Sequence, residues 1–363
     1  QPHRDQRLRV TGRQAVLLGA GVVCVLILGS LAVAHRDTWF QALKRHRRLA
    51  ELVVLGAVVV VGGALLVAHH DELERLLRRI ESGDPVWLAI AAGLEIVSFA
   101  GYVVLVRVIF SPLAPRLDLP ASVELTLAGV VATRLLSAGG AGGIAFSAWV
   151  LHRAGMPTRV AARRLAAFLM VLYATYMGAL VLGGIVVIAG VGEVPQALGI
   201  TALAVGGFVT LAAALLYFHR VPVPIVGDVT DSLREALEIA RDRPVALSGS
   251  ALWWAGDIAT LWAAFEAFGE PPALGIIVLC YFLGQLGNLL PLPGGVGGTE
   301  GGMTGAFLAC NVSLELTLVS VVTYQLISSY LPALPGLPAY AMLRRRMRDW
   351  APQEQPEPEP AGT

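Results

Sequence analysis

The stretch Gly139-Gly140-Ala141-Gly142-Gly143 recurs 155 residues later as Gly294-Gly295-Val296-Gly297-Gly298. Each copy interrupts a long run of apolar residues. Glycine allows the backbone to turn sharply and to approach a ligand closely. In membrane transporters, two glycine- or proline-broken apolar segments at corresponding places in two halves indicate the substrate site. The repeated stretch therefore predicts two related halves, with a candidate binding site at the two turns.

The composition is that of a protein that crosses a membrane several times. Of the 363 residues, 56% are hydrophobic and 15% are charged, whereas soluble domains carry about 25% charged residues. A helix needs about 20 apolar residues to cross the bilayer core. Runs of this kind predict spans at 15–34, 50–68, 86–110, 163–190, 196–218, 245–268 and 314–342. We expect a multi-pass protein of the cytoplasmic membrane.

Two further apolar stretches, 121–151 and 273–310, are broken by the glycine motifs. Each flank has about 10–17 residues, mostly too short to cross alone, which favours a re-entrant hairpin of two half-helices. The same 155-residue offset relates 86–110 to 245–268 and 163–190 to 314–342. Because one extra span, 196–218, separates the halves, the second half is inverted. The predicted fold is an all-α polytopic membrane protein with inverted repeats, each containing a glycine-rich re-entrant helical hairpin.

This organisation divides the chain into five segments. They are N-terminal spans with an amphipathic segment (1–85), repeat 1 (86–190), a linking span with an interfacial helix (191–244), the inverted repeat 2 (245–346) and a disordered Pro/Glu-rich tail (347–363). Clusters of arginine favour the cytoplasmic side, and the cluster at 344–348 places the end of the last span there. The arginines within 1–14 conflict with this orientation of the first span.

The candidate substrate-binding residues follow from the turns and from ionisable groups inside spans. A helix that begins after a glycine turn directs free N–H groups and a positive dipole end towards an anion such as a phosphate. Charged side chains inside a membrane normally face a cavity or a partner. The candidates are Arg134, Gly139, Gly140, Gly142, Gly143, Asp257, Gly294, Gly295, Gly297, Gly298, Glu300 and Tyr324.

Each of these candidates also has a purely structural explanation. Small residues let helices pack tightly, and Glu300 could neutralise a half-helix N-terminus. Asp257 could take part in proton coupling or pair with an arginine, of which pairing is the safer expectation, and Tyr324 could simply pack. The sequence contains no catalytic motif, and we predict no catalytic residue, no metal site and no cofactor.

The second motif resembles a known family signature. The stretch NLLPLPGGVGGTEGG, followed by a span containing TYQLISSYLPALPG, is similar to the lysylphosphatidylglycerol synthase transmembrane-region family, whose members are called flippase-like proteins. The matching positions are Pro291, Pro293, Gly294, Gly295, Gly297, Glu300, Tyr324 and Pro332. The stretch TRLLSAGGAGGIAFSAWVLHRAG resembles the family's first half, so the resemblance covers roughly 86–346. Gln325 stands where the family usually has arginine, and Ala138 replaces a proline.

The resemblance implies lipid translocation. A polar head group would cross through a cavity between the repeats while the acyl or prenyl chain stays in the membrane. No segment resembles the family's aminoacyltransferase domain, so lysyl transfer is not expected. The expected partners are a phospholipid or lipid-linked substrate and the membrane, with a second copy or a synthase as candidate protein partners and no nucleic acid. Two alternatives stay open: a membrane enzyme or accessory subunit acting on polyprenyl-phosphate-linked sugars, and a non-transporting scaffold.

Overall fold

The computed structural model describes residues 78–135, 141–190, 194–218, 224–289 and 298–350. These residues form helices and contain no strand, so the predicted all-α fold is confirmed for the described part of the chain. The predicted spans 15–34 and 50–68 and the tail from residue 351 lie outside it. In chain order the helices are α1 (Pro85–Phe110), α2 (Leu119–Leu135), α3 (Ala141–Arg153), α4 (Thr158–Ile188), α5 (Gln196–Phe218), α6 (Pro224–Asp242), α7 (Val245–Glu266), α8 (Leu274–Gln285), α9 (Gly298–Ala309), α10 (Leu314–Gln325) and α11 (Ala333–Asp349).

Within the described residues, four helical stretches are long and apolar enough to cross a membrane. They are Pro85–Phe110, Thr158–Ile188, Gln196–Tyr217 and the run Leu314–Asp349. They correspond to four of the predicted spans, and they confirm a polytopic membrane protein. The predicted span at 245–268 forms the 22-residue helix α7, which carries Asp257 and Glu266 and falls outside that set.

Local chemistry fixes where several of these helices begin and end. The Asp84 side chain accepts a hydrogen bond from the Val86 N–H at 2.8 Å, and Pro85 follows as the first helical residue of α1. An acidic N-cap followed by proline is a favourable helix start. Beyond the end of α3, Gly155 adopts φ = 101°, and beyond α4, Gly190 adopts φ = 80°. Glycine takes these left-handed conformations without the cost that a Cβ would add.

The first glycine motif lies between two helices that pack on each other. In α3, Gly143 approaches the Thr133 side chain and the Gly129 carbonyl of α2 so closely that a Cβ at Gly143 would lie 3.3 Å from that carbonyl oxygen. The second motif is arranged alike. A Cβ at Gly302 of α9 would lie 2.9 Å from the Gly284 carbonyl oxygen of α8, and the short 3₁₀ helix Leu286–Leu289 continues α8 towards the turn. Both motifs therefore join the arms of a helical hairpin.

Helices α1 and α7 pack side by side in antiparallel orientation. The Asp84 N–H donates to the Ala267 carbonyl at 2.9 Å, and at the opposite end Arg243 Nη1 donates to the Val108 carbonyl at 2.9 Å. Between them, the Ser98 hydroxyl donates to the Trp253 carbonyl at 2.8 Å, across a separation of 155 residues. These contacts hold α1 against α7 along their whole length.

The last apolar run is interrupted before its prolines. After α10 the backbone forms a π-helical turn at Leu326–Tyr330, in which the Leu331 N–H donates to the Leu326 carbonyl at 2.9 Å. Pro332 then precedes α11, while Pro338 lies inside that helix. Proline lacks an N–H and cannot continue the hydrogen-bond pattern of the preceding turn. Pro332 therefore marks the change of helical geometry between the π-helical turn and α11.

The helix predicted to follow the linking span within 191–244 corresponds to α6. This helix packs on the start of α4 through one carboxylate shared by two arginines. Glu235 lies 2.7 Å from Arg163 Nε and 2.6 Å from Arg164 Nε. A cleft of 850 Å³ lies between the two helices and is lined by both acidic and basic side chains. Since Glu235 contacts two arginines, we assign these charges to docking of α6.

Candidate functional site

Two carboxyl groups meet at the contact between α1 and α7. Glu95 of α1 is 3% exposed and Asp257 of α7 is 6% exposed. The two carboxyl groups lie close enough to act on each other electrostatically, and the nearby Thr260 hydroxyl donates to the Gly256 carbonyl at 3.0 Å. We call Glu95 and Asp257 the carboxyl pair. Buried acidic groups cost several kcal/mol each when ionised, so such a contact requires a compensating partner.

Two tyrosines direct their hydroxyl groups at Asp257 from other helices. Tyr281 of α8 and Tyr324 of α10 both donate to Asp257 Oδ2, the second at 2.9 Å. Both rings are buried, with exposures of 0% and 2%. Hydrogen bonds to a charged acceptor are about twice as strong as neutral ones. Asp257 is therefore a junction between the second hairpin, the last span and the carboxyl pair.

The carboxyl pair lies near the middle of both helices. Glu95 comes ten residues after the start of α1 at Pro85, and Asp257 comes twelve residues after the start of α7 at Val245. At 1.5 Å per residue, these positions are about 15 and 18 Å along their helices. The hydrocarbon core of a bilayer is about 30 Å thick. Because α1 is long and apolar enough to cross the membrane, the position of Glu95 along this helix would place it near the membrane midplane.

A second set of polar contacts continues from Tyr324 towards the second glycine motif. Its neighbour Gln325 uses Nε2 to donate to Glu300 Oε1 at 2.9 Å. The other amide atom, Gln325 Oε1, accepts from the Ser329 hydroxyl at 3.1 Å. Glu300 lies in the first turn of α9, directly after the motif, where a carboxylate is favourable near the helix N-terminus. Gln325 thus connects the π-helical turn to the beginning of α9.

The family model described as lysylphosphatidylglycerol synthase TM region matches residues 53–336. The chain belongs to this family. It is also similar to a protein named UPF0104 membrane protein from Methanothermobacter thermautotrophicus (strain Delta H), with 34% identity over 96 residues. That match covers 26% of this chain and 27% of the relative, so it spans about a quarter of either protein.

The range matched by the model of the lysylphosphatidylglycerol synthase TM region family includes the whole site. The matched range includes both hairpins, the carboxyl pair and Gln325. In this member Gln325 holds Glu300 through a neutral amide at 2.9 Å. An arginine there, as the sequence comparison leads one to expect, would place a positive charge against the same carboxylate. In this protein, therefore, a neutral side chain rather than a charged one binds Glu300.

The structure brings three of the predicted site residues into one network. Asp257 and Tyr324 are in direct contact, and Glu300 joins through Gln325. The partners of Asp257 are tyrosines and Glu95, so the expected pairing with an arginine is wrong within the described part of the chain. The structural explanation for Tyr324, plain packing, is also incomplete, because its hydroxyl group binds a carboxylate.

The remaining predicted residues fall into two groups, those whose side chains the structure describes and those that lie outside the described residues. Arg134 lies in the last turn of α2, and its side chain is outside the described residues, as are five of the glycines: Gly139, Gly140, Gly294, Gly295 and Gly297. Gly142 and Gly143 lie in the first turn of α3, and Gly142 is buried. Gly298 begins α9, and its carbonyl contacts Gly287 so closely that a Cβ at Gly287 would overlap it. For Gly143 and Gly298 the tight packing of hairpin arms is thus directly visible.

The sequence did not single out Tyr281. It lies on the apolar helix α8, where an aromatic residue is ordinary. Glu95 lies inside the predicted span 86–110, but the sequence does not indicate its partner. Only the antiparallel packing of α1 and α7 brings it to Asp257. Another in-span acid, Glu124 of α2, instead forms a bidentate pair with Arg346 of α11, with both contacts at 3.1 Å.

Proposed function

We propose that this chain moves the polar head group of a phospholipid, or of another lipid-linked substrate, across the cytoplasmic membrane. The head group passes between the two halves of the protein while its hydrocarbon chain stays in the lipid. The observation that carries this proposal is the buried polar network from Glu95 through Asp257, Tyr324 and Gln325 to Glu300. Polar groups at this depth in a membrane protein are costly and typically mark a substrate or ion pathway.

The order of helices supports two inverted repeats. Helix α2 begins at Leu119 and α8 begins 155 residues later at Leu274, which is the offset of the glycine motifs. The contact between Ser98 and Trp253 has the same separation, so it joins equivalent positions of the two halves. An antiparallel contact between equivalent positions is the contact that a two-fold axis in the membrane plane would produce, and it therefore supports inverted repeats.

The two hairpins have different chemistry at their turns. The first turn of α3 contains no acidic residue, while the first turn of α9 contains Glu300. The positive end of α3 is therefore available to a phosphate, with Arg134 one turn before the motif. The carboxylate at the second turn favours a cationic or hydrogen-bonding part of the head group. Together the two turns suit a head group that carries a phosphate.

Family membership supports a lipid substrate. The family is named for the membrane region of lysylphosphatidylglycerol synthase, a lipid-modifying protein, and the present chain shares that region. Half-helices with re-entrant turns that face a cavity between repeats are the usual construction of a secondary transporter site. We therefore assign the two hairpins to the substrate pathway.

Reconstitution in liposomes tests the proposal. A phospholipid labelled on its head group is placed in the bilayer, and its appearance in the other leaflet is measured by a membrane-impermeant quencher. We expect Glu300→Gln and Arg134→Ala to slow this movement by about tenfold or more, because each removes a charged hydrogen-bonding group worth about 1.5–3 kcal/mol. Glu315→Gln is the matched control, since this carboxylate has a side-chain exposure of 74%.

Equal rates for wild type and both variants would remove the two turns from the pathway. The same samples are analysed for chemical change of the lipid. A modified lipid in place of a relocated one would favour the membrane-enzyme alternative over flipping.

A further inference from the structure

We propose that the carboxyl pair is a proton-binding site that couples movement of the head group to a proton gradient across the membrane. The inference rests on the proposed lipid movement and adds its energy source. It starts from the contact of Glu95 with Asp257 at the interface of α1 and α7. These helices are the first of each half, so the site lies where the two halves meet.

Within the described residues, one oxygen of each carboxyl group lacks a hydrogen-bond donor, and this requires a proton between Glu95 and Asp257. Glu95 Oε2 and Asp257 Oδ1 are both buried and accept no hydrogen bond from the described residues. An ionised carboxylate only accepts hydrogen bonds, so two ionised groups in contact leave both oxygens unsatisfied and add like-charge repulsion. A single proton held between them supplies the missing donor and removes one charge. The neutral–anionic pair is therefore the arrangement that fits the geometry.

The surroundings supply donors and no positive charge. Tyr281 from α8 and Tyr324 from α10 donate to Asp257, while the Thr260 hydroxyl of α7 donates to the Gly256 carbonyl at 3.0 Å. From α4, Tyr173 and Tyr176 lie against the ring of Trp254, one turn before Asp257, and the Tyr176 hydroxyl donates to the Phe282 carbonyl. Among the described residues, no arginine, lysine or histidine contributes to the environment of either carboxyl group.

The direction of the tyrosine hydroxyls favours a proton over a metal cation. Both hydroxyl hydrogens point at Asp257 Oδ2, which occupies that oxygen with donors. A hard cation requires about six oxygen ligands that present lone pairs. The remaining unsatisfied atoms are one oxygen on each acid, which matches the two acceptors that a shared proton needs.

A chain of contacts connects this proton to the proposed substrate site. Tyr324 donates to Asp257 and also contacts Ser328 of the π-helical turn. Ser328 donates to Gln325 at 3.4 Å, and Gln325 donates to Glu300 at 2.9 Å. Loss of the proton places two negative charges in contact and favours separation of α1 from α7. Movement at Asp257 then shifts Tyr324 and, through it, the partner of Glu300.

Two amide variants test the proton site in the transport assay. Glu95→Gln and Asp257→Asn keep the shape of each group, and Asn Oδ1 still accepts from the tyrosines. In liposomes with a one-unit pH gradient, one proton per lipid gives about a tenfold stationary ratio of labelled lipid between leaflets. We expect wild type and Glu315→Gln to approach this ratio and both amide variants to give the same ratio with and without the gradient. Amide variants that follow the gradient like wild type would overturn the proposal, as would a wild-type response to a sodium gradient instead.

Infrared spectroscopy of the protein in detergent tests proton binding without any transport. A protonated carboxyl group absorbs separately from a carboxylate, and deuteration shifts its band. We expect a band at neutral pH in wild type and in Glu315→Gln that is absent from both amide variants. The band without lipid movement would support the proton site and refute the flippase function. Lipid movement without the band would refute the proton site alone.

Discussion

Gly101→Ala tests whether close backbone packing of α1 on α7 holds the carboxyl pair together. A Cβ at Gly101 would lie 2.7 Å from the Trp253 nitrogen and 2.8 Å from the Gly249 carbonyl oxygen. The shorter distance is 0.7 Å less than 3.4 Å, the distance at which ordinary van der Waals contact begins. Both atoms belong to the backbone of α7, so a side-chain rotation cannot relieve the overlap. Overpacking of this kind costs about 1–3 kcal/mol, while alanine in a helix gains about 1 kcal/mol over glycine.

We therefore expect Gly101→Ala to lower the free energy of unfolding by up to about 2 kcal/mol. The matched control is Gly93→Ala on the same helix, because Gly93 is exposed and a Cβ there meets nothing within 4 Å. That variant keeps the propensity gain and adds stability. Titration with a denaturing detergent, followed by tryptophan fluorescence, measures both because Trp253 lies at the contact. A Gly101→Ala protein as stable as the control would show that α1 and α7 do not pack as described.

Three further outcomes follow from individual contacts. Arg346→Ala leaves the buried carboxylate of Glu124 without its bidentate partner. We expect a loss of about 3 kcal/mol in the free energy of unfolding, which is the low end for a buried pair because the arginine side chain is 35% exposed. An unchanged midpoint in the same titration would contradict the pair. Tyr324→Phe removes one donor from the carboxyl pair, which should cost about 1.5–3 kcal/mol and slow lipid movement more than it shifts the melting temperature of the detergent-solubilised protein. The sulfur atoms of Cys280 and Cys310 lie 3.7 Å apart, so a mild oxidant should form a disulfide between them within one chain, which peptide mass spectrometry detects. Failure to form this disulfide would place the end of α9 away from α8.

Much of the architecture was predictable because the membrane imposes strict lengths. The spans at 86–110, 163–190, 196–218 and 314–342 were visible as apolar runs, and each lies in one of the long apolar helices of the structure. The two hairpins were predictable from the short flanks of the glycine motifs. Re-entry of these hairpins into the membrane and the inversion of the repeats stay predictions.

The polar network was predictable only in part, since it depends on helix rotation and register. Asp257, Glu300 and Tyr324 were visible as polar residues in apolar surroundings. Their partners were not, because Tyr281 has the same local sequence context as any packed aromatic residue. The partner of Asp257 was expected to be an arginine by charge balance, whereas the antiparallel register of α1 and α7 supplies a second acid, Glu95.

The pairing of α1 with α7 sets a delay in biosynthesis. The Ser98 contact with Trp253 spans 155 residues, which takes roughly 8–30 s to translate at the usual 5–20 residues per second. During that interval α1 enters the lipid bilayer without its partner. Glu95 and the helix surface at Gly101, which later contacts α7, then face lipid or the insertion machinery. A membrane-embedded acid without a partner is costly unless protonated. We infer that the nascent protein carries its first proton on Glu95 before Asp257 has been synthesised.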